Sequence, residues 1–245
     1  MKPKFQKKFE AMRQAGQISA LALQKVLEKA APGVTLQELD ELAEEIILSK
    51  GAEPGFKRMP GYNYTTCTNV NEGLVHGLPT DYALKEGDLL SVDLGAYYKG
   101  YNSDQCWTVE IGTNKHADFL EVGEKTLELA ISKAIPGNRV GDISAAIQDS
   151  IESAGYTVSR SLVGHGVGKK LHEPPQIPGF KGPNKGKKLK EGMTLAIEVI
   201  YQKGDYPIKE ADDGWTIETA DKSLAAVFEH SIGVTNTKPL VFTDF

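Results

Sequence analysis

Cysteine is scarce: Cys67 and Cys106 are the two thiols among 245 residues. They lie far apart and in no metal-type spacing, so neither a disulfide framework nor a thiolate metal site is expected. A reduced, cytoplasmic protein fits that usage. No apolar run approaches the ~20 residues that cross a bilayer, so no membrane-spanning helix is expected. The N-terminus is basic (Lys2, Lys4, Lys7, Lys8), but no apolar stretch follows it, so it does not read as a signal peptide. Positive charge is not in excess either. The net charge of −5 implies no broad or specific nucleic-acid surface. The lysines of 2–8 and 181–190 therefore read as local surface segments. Hydrophobic residues at 40% and charged residues at 25% leave an ordinary globular chain, of a length for one large domain or two intimately packed halves.

The pattern favours two halves within a single domain. Phe5, Phe9, Met12, Leu23, Val26 and Leu27 recur at near-helical spacing over residues 4–30, and Pro32-Gly33 ends that helix. Thr35 and Glu38 form a capping box that opens a second helix through Ser49, closed by Gly51. A glycine-rich, aromatic loop and a short strand over 65–70 follow. The plan then repeats: a helix over 116–134 ended by Pro136-Gly137, and one over 141–153 closed by Gly155. Both landmarks recur at an offset of 104 residues, as a duplication with halves 1–112 and 113–245 would produce. Later strands are expected at 156–162, 193–201, 214–218 and 224–234.

Residues 89–111, LLSVDLGAYYKGYNSDQCWTVEI, read as a β-hairpin turning at Lys99-Gly100. That turn sets Asp93 opposite Cys106 and Asp104 opposite Gly95. The two aspartates become diagonal neighbours on one face, with Cα atoms roughly 7–8 Å apart. Carboxylates so close repel unless a cation lies between them; two acids on a solvated face would give the same pattern. The 104-residue offset carries Asp93 next to Glu198, an acid in the middle of the apolar strand MTLAIEVIY. Glu229 sits in a similar strand, LAAVFEHSIGV. Buried glutamates need a cation or a partner.

Histidine completes the pattern. His165 is flanked by glycines in GHGVGKKLHE, which also holds His172, and His76 precedes a glycine in CTNVNEGLVHGLP. His230 should face away from Glu229, and His116 should be an exposed helix start. The ligand inventory is Asp93, Asp104, His165, Glu198 and Glu229. Four carboxylates and one imidazole suit borderline or hard divalent ions such as Mn, Fe, Co or Zn, and balance the charge of two of them. Two ions ~3.5–4 Å apart are suited to hydrolytic chemistry.

In order and spacing, the motifs CTNVNEGLVHGLP, SVDLGAYYKGYNSD, GHGVGKKLHE, GMTLAIE and VFEH resemble those of type I methionine aminopeptidases, across about the whole chain. The resemblance implies an α+β pita-bread fold: two pseudo-symmetric halves, each with two helices packed on an antiparallel sheet, and a dinuclear metal site between them. It implies a metallo-exopeptidase that removes the initiator methionine from nascent chains with a small second residue, by attack of a bridging hydroxide. Asp93 would then chelate one metal, Asp104 and Glu229 would bridge both, and His165 and Glu198 would complete the coordination of the second metal. Glu198 is also the implied general base. His76 and His172 would hydrogen-bond substrate near the scissile amide. Phe56, Met59, Tyr62, Cys67, Leu171 and Trp215 would line the methionine pocket, and the substrate's α-amino group would sit near the metals. The implied partners are nascent polypeptide N-termini, with a transient ribosome contact, for a monomer of short, bacterial or organellar type without an N-terminal extension.

The chain departs from that family at Asn102-Ser103-Asp104-Gln105, where His-Gly-Asp-Thr/Ser is usual, and at Met59 and Leu171, where aromatics are frequent. No ligand is lost. The first change bears on the surroundings of Asp104, the others on strictness for methionine. Three alternatives compete: an Xaa-Pro aminopeptidase or prolidase, which usually carries an additional N-terminal domain; a pita-bread binding protein without catalysis, which typically lacks metal ligands; and a general metal-binding or structural protein, which would not explain His76 and His172.

Overall fold

The computed structural model describes residues 2–245. In the first half, helices α1 (Pro3–Lys29) and α2 (Leu36–Ser49) precede strands β1 (Glu53–Pro54), β2 (Thr66–Val70), β3 (Gly73–Val75), β4 (Leu89–Leu94), β5 (Ala96–Tyr98), β6 (Tyr101–Asn102) and β7 (Gln105–Glu110). In the second, α3 (Ala117–Ser132) and α4 (Val140–Ser153) precede β8 (Thr157–Val158), β9 (Val163–Gly166), β10 (Glu173–Pro178), β11 (Thr194–Gln202), β12 (Ile208–Glu210), β13 (Ile217–Thr219), β14 (Ala225–Gly233) and β15 (Leu240–Val241). The four expected helices form, with ends within two residues of expectation. Thr35 Oγ1 accepts from Glu38 N while the Glu38 carboxylate accepts from Thr35 N, which is the expected capping box.

Nine strands make one antiparallel sheet in the order β10-β9-β11-β14-β7-β4-β2, with β8 on β11 and β15 on β14. The two halves join where β14 pairs with β7. Alternation along the strands divides the residues between two faces. Leu90, Val92 and Leu94 of β4 pack under α1 and α2 with Leu23, Val26, Leu39 and Ile47. Leu195, Ile197, Val199 and Tyr201 of β11, with Phe228 of β14, pack under α3 and α4 with Leu127, Ile143 and Ile147. Burying such a side chain contributes about 1.5–3 kcal/mol, so each helix pair is held by its own apolar patch. The acids occupy the intervening positions and face the other way.

The hairpin turns where expected, with Lys99 at φ +49° and Gly100 at φ +87°. Tyr98 faces Tyr101, and Asp93 faces Cys106. The hairpin is not one ladder, however. Its tip, β5–β6, leaves the large sheet and pairs with β1. At the break, a Cβ on Gly95 would lie 2.2 Å from the Ser103 carbonyl oxygen, so glycine permits the close approach.

Two strand expectations need correction, and one strand was not expected. A continuous strand over 156–162 does not form: Ser159 Oγ accepts from the Ser161 and Leu162 amides, and the resulting turn separates β8 from β9. The strand expected at 214–218 starts at Ile217 instead, because the Asp213 carboxylate holds the Trp215 and Thr216 amides in a turn. Strand β10, EPPQIP, is absent from the sequence expectations. Its prolines are tolerated because it pairs on one side only, with β9.

Candidate metal centre

Sheet register assembles the acids. Cys67 of β2 is paired with Asp93 of β4, Asp93 with Cys106 of β7, Cys106 with Glu229 of β14, and Glu229 with Glu198 of β11. Directly opposed residues share a face, so one cross-strand row carries Asp93, Glu229 and Glu198 across both halves. On β9, His165 is paired with Ala196, two residues before Glu198 and so on the same face. Asp104 enters from the break between β6 and β7. Its amide donates to Ser231 Oγ, which donates in turn to the Asp104 carbonyl, 2.9 and 2.8 Å.

The side chains converge. Single ligand atoms from Asp93, Asp104 and Glu229 lie within 4.8 Å of one another, as do those from His165, Glu198 and Glu229. Glu229 belongs to both of these triplets, and Asp104, His165 and His172 form a third. His165 Nε2 is 3.5 Å from Asp104 Oδ2 and 3.5 Å from Glu198 Oε1. Its Nδ1 is 2.9 Å from the Gly166 carbonyl oxygen; donation there leaves Nε2 free to ligate.

The acids are buried or half-buried and repel one another. Burial, then the charges of Asp104 and Glu198, push the Asp93 carboxyl well above its usual range. Burial does the same to Glu229, with Asp104, Glu198 and Asp93 adding to it. Burial raises Glu198 to about 7 against the pull of His165. Burial lowers the His165 pKa, but its hydrogen bond to Asp104 and the charge of Glu198 outweigh this and bring it to about 9. One oxygen each of Asp93, Asp104 and Glu229 is buried with no hydrogen-bond partner. Orphaned buried carboxylate oxygens are costly. Divalent ions would satisfy them, and the mixed oxygen and nitrogen donor set fits such ions.

A cavity of about 630 Å³ opens beside the acids. His76 and His172 line it, as do the expected Phe56, Met59, Tyr62, Cys67, Leu171 and Trp215. Burial lowers the pKa of His76, and burial followed by the charge of His165 lowers that of His172, so both favour the neutral imidazole. His76 holds a left-handed backbone at φ +61°, uncommon for a side chain of this size. The apolar wall is Phe56, Tyr62, Cys67 and Leu171 with Met59 packed against them. The Tyr62 ring meets Phe56 at 6.4 Å and Trp215 at 5.2 Å, both edge-on. Burial, then Asp93, raises the Cys67 thiol well above its usual range, so it packs as a small apolar group.

Some contributors escaped the sequence reading. Ile200 and Val75 line the cavity. Ile200 was legible as the next same-face residue after Glu198. Gln176 lies on the proline-rich strand β10 and had no readable signal. Asp40 of α2 lies behind the wall: its Oδ1 accepts from Thr65 N, Thr66 N and Thr66 Oγ1 at 2.7–2.9 Å. The Thr66 carbonyl oxygen accepts from the Tyr62 hydroxyl at 2.7 Å. An acid on the buried stripe Leu36, Leu39, Asp40, Ala43, Ile47 was the available signal. His230 faces away from the acids as expected, with Nδ1 2.9 Å from Thr243 Oγ1. His116 precedes α3 and is half-buried, with Nδ1 3.0 Å from Lys203 Nζ.

Among the described residues, Asn102, Ser103 and Gln105 make no hydrogen bond to the Asp104 carboxylate. Asn102 Nδ2 donates to the Gly168 and Lys169 carbonyls. Ser103 Oγ lies 2.9 Å from Ser19 Oγ and 3.2 Å from the Ala15 carbonyl oxygen of α1, either of which can accept its one proton. Gln105 faces the opposite side from Cys106, and its amide atoms are buried without partners.

Residues 10–236 match metallopeptidase family M24. The chain belongs to this family. As an M24 metallopeptidase it is a hydrolase that uses divalent metal. It is 44% identical over 228 residues to methionine aminopeptidase 1 of Bacillus subtilis, covering 92% of each chain. It is 40% identical over 242 residues to the methionine aminopeptidase of Clostridium perfringens, covering 98% of this chain and 97% of that one. Methionine aminopeptidase from Thermotoga maritima superposes with a TM-score of 0.95 at 41% identity, over 100% of this chain and 98% of that one. Prolidase from Pyrococcus furiosus shares the fold, with a TM-score of 0.80 at 24% identity, over 98% of this chain and 64% of that one. The architecture common to these M24 proteins is the pita-bread fold. Among the described residues of this M24 peptidase, no helix is long and apolar enough to cross a membrane.

Proposed function

We propose that the chain is a methionine aminopeptidase that removes the initiator methionine from nascent polypeptides with a small second residue. The observation that carries this is the junction of the acid row with the apolar wall: single ligand atoms of Asp93, Asp104 and Glu229 within 4.8 Å of one another, beside a cavity walled by Phe56, Tyr62, Cys67 and Leu171. An unbranched thioether side chain suits such a wall. The relatives named methionine aminopeptidase support the same reading.

Asp93, Asp104, His165, Glu198 and Glu229 would hold two divalent ions, drawn from Mn, Fe, Co and Zn. When bound, such ions supply Lewis acidity and a strong nucleophile at neutral pH. Glu198 takes up the proton released during attack at a carboxylate oxygen. His76 and His172 donate hydrogen bonds to the scissile carbonyl as it gains charge. Phe56, Met59, Tyr62, Cys67, Leu171 and Trp215 hold the methionine side chain and exclude water from it. The chain acts as one catalytic domain of two repeated halves, 1–112 and 113–245. It works as a cytoplasmic monomer on nascent N-termini, with a transient ribosome contact.

The test is an assay of metal-loaded protein on Met-Gly-Met-Met and on a Gly-Pro peptide. Release of free methionine from the first peptide is the expected result. Cleavage confined to the proline peptide would assign the chain to the prolidase class. Cleavage of neither, with each of Mn, Fe, Co and Zn, would favour a binding protein.

A further inference from the structure

We propose that Asn102 is a positioning residue for His172, fixing the loop that carries it to the segment that carries Asp104. The inference rests on the role given to His172 above. Asn102 ends β6, two residues before Asp104, and is 4% exposed. Its amide donates to the Gly168 carbonyl at 2.7 Å. Its Nδ2 donates to the same oxygen at 3.1 Å and to the Lys169 carbonyl at 3.2 Å. A single side chain thus gathers two successive carbonyls of the loop between His165 and His172.

The ends of that loop have their own ties: Val167 N donates to the Thr194 carbonyl at 3.2 Å, Thr194 Oγ1 donates to the Val167 carbonyl, and Leu171 packs in the apolar wall. Gly168 N donates to the Lys170 carbonyl, and Lys170 N donates to Glu173 Oε1, both at 3.0 Å and both within the loop itself. On the far side of His172, Glu173 is paired with Gly166 at the start of β10. The His172 ring makes no hydrogen bond among the described residues. Its ring contact is an edge-on approach to His165, with centroids 4.4 Å apart. A side chain at the rim of a cavity with no polar anchor of its own takes its position from its backbone. Between Val167 and Leu171, Asn102 is the side chain that ties that backbone to the segment carrying Asp104. A catalytic hydrogen-bond donor displaced by ~1 Å loses up to ~100-fold in rate, so the clamp matters to turnover without touching substrate.

The experiment compares Asn102→Ala, Asn102→Asp and Asn102→His with His172→Ala and with the double variant N102A/H172A, all metal-loaded. Asn102→Asp keeps the shape and removes the donors; Asn102→His keeps a ring N–H. Asn102→Ala and Asn102→Asp are expected to lower kcat about tenfold or more, with KM changing less and bound metal per chain unchanged by elemental analysis. Asn102→His should retain most of the rate. N102A/H172A should be no slower than His172→Ala alone. Losses that multiply in the double variant would overturn the inference, since Asn102 would then act independently of His172. Metal loss in step with kcat would also overturn it, by showing action through Asp104. A His172→Ala variant as fast as the parent would remove the role of His172 itself, and the inference with it. If Asn102→Ala does not fold, Asn102→His against Asn102→Asp carries the same comparison.

Discussion

The two halves of the molecule start from one plan and end with different duties. Helix α2 spans Leu36–Ser49 and α4 spans Val140–Ser153, which is the 104-residue offset at both ends. Glycines 33 and 137 before these helices, and 51 and 155 after them, all take positive φ. Beyond the second glycine of each pair the halves diverge. After α4 the chain turns through Gly155 directly into β8. After α2 it makes the loop from Gly51 to Thr65 that supplies Phe56, Met59 and Tyr62 to the cavity. The candidate ligands are divided as well: Asp93 and Asp104 come from the first half, and His165, Glu198 and Glu229 from the second. A repeated scaffold therefore gives a shared floor, while the first half supplies most of the apolar wall (Phe56, Met59, Tyr62, Cys67) and the second adds Leu171 and Trp215.

The largest expected effect tests whether the floor is shared. Asp104→Asn removes a carboxylate of the first half, and Glu229→Gln removes one of the second. Either should reduce bound metal per chain and lower turnover beyond the ~10–100-fold typical of changes outside the ligand set. Elemental analysis with a methionine-release assay measures both quantities. Full metal content in one variant and loss in the other would break the symmetry and place the site in one half.

The next effect separates the halves. Asp40 and Ser144 hold equivalent positions on α2 and α4. Asp40 reaches out to Thr65 and Thr66 under the cavity wall, whereas Ser144 Oγ folds back to the Val140 carbonyl of its own helix at 3.2 Å. Asp40→Ala leaves two backbone N–H groups and a hydroxyl without their acceptor, at about 1–3 kcal/mol for each that stays unsatisfied. A loss of about 3 kcal/mol in urea unfolding is expected, with a raised KM for methionyl peptides as Tyr62 shifts. Ser144→Ala should stay within about 0.5 kcal/mol. Equal losses at the two sites would show that Asp40 does not serve the wall.

This contrast explains what could be read in the sequence. The helices were legible because their caps and glycine stops are local signals. The hairpin register was legible because Lys99-Gly100 allows one two-residue turn, and that register placed Asp93 and Asp104 on one face. The pairing of Glu198 with Glu229 lies within the second half, but that of Glu229 with Cys106 joins strands from different halves, which no local pattern records. Strand β10 is hidden by its prolines, and the early end of β8 within the strand expected over 156–162 is hidden because the turn at Ser159 depends on a hydroxyl accepting two amides. Asp40 stood on an apolar helix stripe, a readable anomaly. The chemistry of Asn102 depends on carbonyls of Gly168 and Lys169, 66 and 67 residues away, and a sequence pattern does not show a partner at that distance.

The smallest expected effect concerns the helix starts, where the repeat is almost intact. Thr35 accepts from Glu38 N through its hydroxyl, and Glu38 accepts from Thr35 N. At the equivalent place Asp142 accepts from Arg139 N at 2.8 Å, but arginine has no acceptor to return to the Asp142 amide. The Arg139 guanidinium instead donates to the Gly186 carbonyl at an exposed site. Both N-cap residues have extended backbones, with φ −88° at Thr35 and −122° at Arg139, so a threonine fits either. Thr35→Ala should cost about 1 kcal/mol. Arg139→Thr should gain about 0.5 kcal/mol, because the restored cap outweighs one solvent-exposed hydrogen bond. Urea midpoints at constant m value measure both. A loss on Arg139→Thr would mean that its tie to Gly186 fixes the lysine-rich segment to α4 more firmly than a cap fixes the helix, and that the second half has replaced the cap with that contact.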